Sequence, residues 1–116
     1  MKNILFTICL GLFIFNQQES INFYLVGDST MANKPIEDNP ERGWGQVFQV
    51  FFNENVKIEN HAQNGRSTKS FIDEGRWDSV MVKVKKGDYV FIQFGHNDAK
   101  KEDPKRYAEP HTTYKN

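Results

Sequence analysis

Asn22-Phe23-Tyr24-Leu25-Val26-Gly27-Asp28-Ser29-Thr30 is the stretch whose reading decides the fold. Its apolar run is rich in β-forming residues and is stopped abruptly by Gly-Asp-Ser. This predicts a buried strand over about 22–26, with Ser29 just past its carboxyl end. Open α/β sheets put their chemistry at that rim. Gly-Asp-Ser is also ordinary turn chemistry, so the motif alone does not make a nucleophile and the neighbouring elements must decide.

Working outward, Met31 to Arg42 is a polar loop carrying Pro35 and Pro40. A helix is expected to open near Gly43, with Trp44, Val47, Phe48, Val50, Phe51 and Phe52 on one broad apolar face and Asn53-Glu54-Asn55 ending it. Val56-Lys57-Ile58-Glu59-Asn60 alternates apolar and polar residues and reads as a strand nearer a sheet edge than the first. In the loop that follows, Asn64-Gly65 demands a tight turn with positive φ, and Ser67 or Thr68 can cap the next helix. Phe71, Ile72, Trp77, Val80, Met81 and Val84 predict one or two short helices interrupted around Gly75. Lys83, Lys85 and Lys86 at their carboxyl end read as a solvated face that complements the helix dipole.

Gly87-Asp88 turns the chain into Tyr89-Val90-Phe91-Ile92-Gln93-Phe94, a nearly continuous apolar run expected in the middle of a parallel sheet covered on both faces. It ends at Gly95-His96-Asn97-Asp98. From Ala99 onward no apolar periodicity remains, and order is expected to run out. Three strands separated by crossovers make a βαβαβ unit with right-handed connections. Ser29, Gly65 and Asn97 then each lie just after the carboxyl end of a parallel strand, on one rim.

A serine hydroxyl needs a base for its proton and donors for the developing oxyanion. Ser29 can supply the nucleophile and its own N–H, Gly65 a second backbone N–H, and the Asn97 carboxamide a third donor. Each has an ordinary explanation alone, Gly65 as a turn glycine and Asn97 as a turn former. Together they read as a nucleophile and an oxyanion site without a base.

Fifteen basic against fifteen acidic residues leave no field that would draw nucleic acid or an anionic membrane, and 14% aromatic content favours a packed domain. Residues 1–20 differ: Lys2, an apolar run from Ile4 to Phe15 and a polar exit read as an export signal, leaving a domain over 21–116. The sole cysteine, Cys9, lies within that signal, so the mature chain is expected to be cysteine-free, secreted or periplasmic, and free of the membrane after cleavage. The oligomeric state is left open.

Gly27-Asp28-Ser29, Asn64-Gly65 and Gly95-His96-Asn97-Asp98 resemble three blocks of the SGNH or GDSL-like hydrolases. The longer strings Gly27 to Ala32, Gly43-Trp44-Gly45-Gln46, Asn64 to Phe71, and Pro110 with Thr112-Thr113-Tyr114-Lys115 are similar to the rhamnogalacturonan acetylesterase branch. The resemblance implies a flavodoxin-like three-layer α/β/α fold with a parallel sheet. It also implies cofactor-free and metal-free removal of acetyl groups from pectic or related polysaccharides, with Ser29, Gly65 and Asn97 as catalytic residues. The family's last block, an Asp-x-x-His that supplies the base, has no counterpart here. His96 belongs to the third block, His61 opens the second loop and His111 sits in a polar tail. Asp28 reads as a structural loop carboxylate. The chain is therefore expected to be an amino-terminal portion, incomplete and inactive by itself. Two other readings compete: a noncatalytic carbohydrate-binding remnant that would use Trp44, Trp77 and the tyrosines as sugar platforms, although both tryptophans fall on expected core faces, and a metal-dependent hydrolase built on His96, Asp98 and His61, which lack a local ligand spacing.

Overall fold

The computed structural model describes residues 20–35, 37 and 40–114. Three strands, β1 (Ile21–Gly27), β2 (Val56–Asn60) and β3 (Tyr89–Gln93), form one parallel sheet in the order β2-β1-β3. Two helices, α1 (Thr68–Asp73) and α2 (Arg76–Met81), carry the chain from β2 to β3. Leu25 pairs with Asn60, and Gly27 with Gln93, so the carboxyl ends of all three strands point the same way.

The alternation along β1 builds a core on each face of the sheet. Tyr24 and Val26 pack with Phe71 of α1 and Val80 of α2, with Trp77, Val84, Val90 and Phe94 around them. Leu25 turns to the opposite face and meets Met31, Ala32, Ala62, Phe48 and Ile58. Phe23 extends that second layer, with its ring 4.9 Å from Tyr89, 5.3 Å from Phe52 and 5.4 Å from Phe91. Burying one Leu or Phe side chain contributes about 1.5–3 kcal/mol, so these two layers dominate the sheet's stability.

The connection from β1 to β2 departs from expectation. In place of one amphipathic helix there are two 3-10 segments, Trp44–Gln46 and Phe48–Phe51. The apolar face anticipated there is split, since Phe48 packs inward while Val50 is 75% and Phe51 74% exposed. Gly43 offers no capping side chain, and Val and aromatic residues are weak helix formers, so periodicity had no local propensity behind it. Gly45 has a further constraint: a Cβ there would stand 2.6 Å from Met31 O and 2.6 Å from Asn60 Nδ2. Trp44 is not a core residue either. It is exposed, and its indole Nε1 donates to Gln93 Oε1 at 2.7 Å.

The helices after β2 follow the sequence closely. Ser67 is the cap: its hydroxyl accepts from Ser70 N, and the Ser70 hydroxyl accepts from Ser67 N, a capping box. Gly75 separates α1 from α2 in the left-handed region at φ 68°. Phe71 and Val80 are buried, whereas Ile72 and Met81 are exposed. The lysine cluster is not wholly solvated, because Lys83 Nζ reaches Glu59 Oε2 at 3.0 Å. Asp88 ties the start of β3 to the start of β1, its Oδ1 accepting from Asn22 N and Asn22 Nδ2, both at 3.0 Å.

Two further expectations are corrected. Among the described residues β1, not β3, takes the middle of the sheet, and β3 has β1 as its one strand neighbour, leaving Tyr89 54% and Ile92 60% exposed. A continuous apolar run signals that both faces can be covered and does not by itself fix a strand's place in the order. Nor does order end at Asp98. Residues 99–114 form successive turns that fold back, with Ala108 buried and its N–H donating to Asp98 O at 3.1 Å. Asp103-Pro104 is turn chemistry, which carries no periodic signal. The expected export signal lies outside the described residues except for Ser20. Among the described residues no helix is long and apolar enough to cross a membrane.

Candidate active site

β1 ends where its backbone is hemmed in. A Cβ on Gly27 would stand 2.8 Å from Gln93 O, so glycine allows the close approach of β3. The next residue, Asp28, is buried and committed locally: its Oδ1 accepts from Thr30 N at 3.0 Å and Thr30 Oγ1 at 2.9 Å. Its carbonyl accepts from Met31 N and Ala32 N. These bonds fold the chain into a tight turn with Ser29 at its head, half-buried, and they bear out Asp28 as a structural carboxylate. Ser29 Oγ has no hydrogen-bond partner among the described residues.

The second loop is fastened beside this turn. His61 N donates to Leu25 O at 2.8 Å, and Gln63 N to Gly27 O at 3.0 Å, which prolongs the β2 pairing to the rim. Asn60 adds a brace that sequence reasoning missed, its Nδ2 donating to Met31 O and to Asn33 Oδ1. Gly65 then turns at φ 74°, where a side chain would be strained.

The third loop is clamped to the second. Asn97 is 2% exposed; its Nδ2 donates to Arg66 O at 2.9 Å, and its Oδ1 accepts from Arg106 Nη1 at 3.3 Å. A carboxamide carries two N–H donors, so one remains for a ligand. Asp98, also buried, accepts at Oδ1 from Thr68 N at 2.9 Å and from the Thr68 hydroxyl, while its Oδ2 has no partner. Thr68 is the first residue of α1, so helix start and third loop are one unit. The partners Thr68 and Arg106 were not anticipated; Arg106 in particular reaches Asn97 only because the segment after Asp98 folds back.

Thus the loops bearing Ser29, Gly65 and Asn97 come to one rim, the latter two directly cross-linked. Among the described residues none of the three histidines bonds to Ser29. His61 Nε2 lies 3.4 Å from Glu59 Oε2, two residues back along the chain, while His96 and His111 are exposed and have no side-chain partner among the described residues. Glu59 sits below the usual carboxylate range, chiefly because Lys83 donates to it and secondarily because His61 does, against the opposing effect of its own burial. Among the described residues no group of three His, Cys, Asp or Glu comes together in a way that could hold a metal ion.

The family model for GDSL-like lipase/acylhydrolase matches residues 23–116. The chain is 45% identical over 91 residues to the rhamnogalacturonan acetylesterase RhgT of Bacillus subtilis, an alignment covering 78% of this chain and 39% of the relative. It is 43% identical over 75 residues to a rhamnogalacturonan acetylesterase of Emericella nidulans, covering 65% of this chain and 27% of that one. In structure it matches the Bacillus subtilis protein YxiM with a TM-score of 0.65 at 28% identity, over 72% of this chain and 24% of the other. The chain thus spans about two fifths or less of the length of these relatives. The matched parallel sheet with its helices is the SGNH α/β hydrolase fold, and the chain belongs to the GDSL-like lipase/acylhydrolase family.

Proposed function

We propose that this chain carries the nucleophile and oxyanion half of a serine acetylesterase acting on rhamnogalacturonan-type pectic polysaccharide. The observation that supports it most is the cross-linked pair of loops presenting Gly65 and Asn97 at the rim where Ser29 heads its turn. Ser29 Oγ attacks the acetyl carbonyl carbon. The carbonyl oxygen takes up the negative charge, held by the N–H groups of Ser29 and Gly65 and by the second Nδ2 proton of Asn97. Collapse expels the sugar oxygen, which takes a proton, and leaves acetyl-Ser29; water then releases acetate and restores the hydroxyl. The protons need an imidazole base. None of His61, His96 and His111 bonds to Ser29, so residues 20–114 alone fall short of turnover. The substrate class is that of the two similar rhamnogalacturonan acetylesterases.

The test is a chimera in which residues 22–114 replace the corresponding segment of RhgT. It should release acetate from acetylated rhamnogalacturonan, and Ser29→Ala should cut aryl acetate turnover by about three or more orders of magnitude. Asn97→Ala should cost about 100- to 1,000-fold, the scale of one lost oxyanion donor. Undiminished turnover in the Ser29→Ala chimera would place the nucleophile elsewhere.

A further inference from the structure

Beside Gly65 the rim opens into a groove of about 320 Å³, lined among others by Arg66, Glu74, Asp103, Lys105 and Arg106. That volume lies at the small end of ligand sites, about 300–1,000 Å³, and has room for one sugar unit. Its charges are arranged unequally. Arg66 Nε is taken by Glu74 at 3.0 Å and Arg106 Nε by Asp103 at 2.6 Å, while Lys105 Nζ has no partner among the described residues. Glu74 is shared, because Arg76 Nε also bonds its Oε2, so Arg66, Arg76, Lys105 and Arg106 face two carboxylates and leave the groove positively charged. Both guanidiniums still have an Nη2 without a partner, ready to donate in their rigid fork.

The groove also shares its wall with the proposed catalytic donors. Arg106 Nη1 bonds Asn97 Oδ1 and lies 3.9 Å from where a Cβ on Gly65 would stand. Asp103 and Arg106 are fixed by the turn between them, Arg106 N donating to Asp103 O at 3.0 Å and Lys105 N to Asp103 Oδ1 at 3.0 Å. This fixes the Lys105 backbone at the lip of the groove.

We infer that this groove is a subsite for the carboxylate of a uronic acid unit, read by Lys105 with Arg66 and Arg106 while an acetylated sugar occupies the rim beside it. This surplus of positive charge suits a carboxylate on a sugar ring. The inference rests on the esterase reading for the position of the acetyl group, and its test is independent of turnover.

The experiment is a titration of the isotope-labelled RhgT chimera with a galacturonate trisaccharide and with its methyl ester, followed by amide resonance shifts. The acid should bind more tightly than the ester, with shifts centred on Gly65, Lys105 and Arg106. Lys105→Gln should weaken acid binding on the order of fivefold, the scale of one lost charge contact, and bring it near the level of the ester. Lys85→Gln, at the opposite end of β3, should change neither; the amide spectrum of each variant reports its fold. Equal binding of acid and ester, an equal loss in Lys85→Gln, or no binding of the acid would each overturn the subsite. A chimera that keeps turnover in Ser29→Ala would sink the esterase reading and leave the acid-to-ester ratio untouched.

Discussion

Glu59 stands opposite Tyr24 in the β1–β2 register, with the Lys83 ammonium at 3.0 Å and His61 Nε2 at 3.4 Å. Its carboxyl is held below the ordinary glutamate value of about 4.3, with the Lys83 bond as the first cause. A group depressed on folding stabilises the native state above its unfolded value, and that contribution is lost as pH falls through the folded value. The Glu59 side chain keeps 24% of its surface and Lys83 keeps 47%, so solvent screening limits the pair to roughly 0.5–1 kcal/mol. Glu59→Gln should therefore lower the urea midpoint at pH 7 and cost almost nothing below about pH 3. A destabilisation that stays constant across that range would show that shape, not charge, is what Glu59 contributes. This pair was hidden in the sequence, where Lys83 read as one of three solvated lysines. Asn97 was legible because its neighbours form a local string, whereas Arg106 acquires its role through a turn that no periodicity announces.

Among the elements, α1 shows why a cap can outweigh periodicity. Six residues are too few for a helix to persist unaided, so its ends and its packing must hold it. Ser67 and Ser70 are buried and reciprocally bonded, and Thr68, one residue later, holds Asp98. Ser67→Ala should cost about 1–2 kcal/mol, since it removes a cap and leaves a buried N–H short of an acceptor. It should also loosen the Asp98 loop, seen as faster hydrogen exchange at Thr68 and Ala108 relative to Leu25. Lys69→Ala, which breaks only an exposed pair with Asp73, is the control. If both variants exchange and unfold alike, the capping box is not what anchors the third loop. The same comparison explains the failed helix after Gly43, where aromatic spacing was right but neither cap nor propensity supported it. Strand β1 was fully legible because burial on both faces leaves a dense β-forming run, and α1 and α2 because Ser67 and Gly75 punctuate them.

At the scale of the molecule, β3 carries two demands that the described residues meet only in part. Its backbone pairs with β1 on one side, and its outer edge is open. Its side chains are apolar on both faces, and Ile92 joins Phe94, Trp77 and Ile72 around an apolar hollow of about 290 Å³. An open edge with exposed apolar side chains is a template for pairing with another chain. The 116-residue chain should therefore associate as its concentration rises through the micromolar range, as sedimentation velocity would show. Ile92→Lys places a charge on that edge strand and should restore the monomer. In the chimera with the relative's longer chain, the sign should reverse: if the added residues cover this face, the buried lysine lowers the thermal midpoint by several degrees, the shift that a loss on the order of 1–2 kcal/mol gives in a domain of this type. The paired outcome separates two meanings of the apolar run. Relief of association here with destabilisation there means a face built to be covered by the same chain. A chimera indifferent to Ile92→Lys would mean that β3 is an edge in the longer protein too.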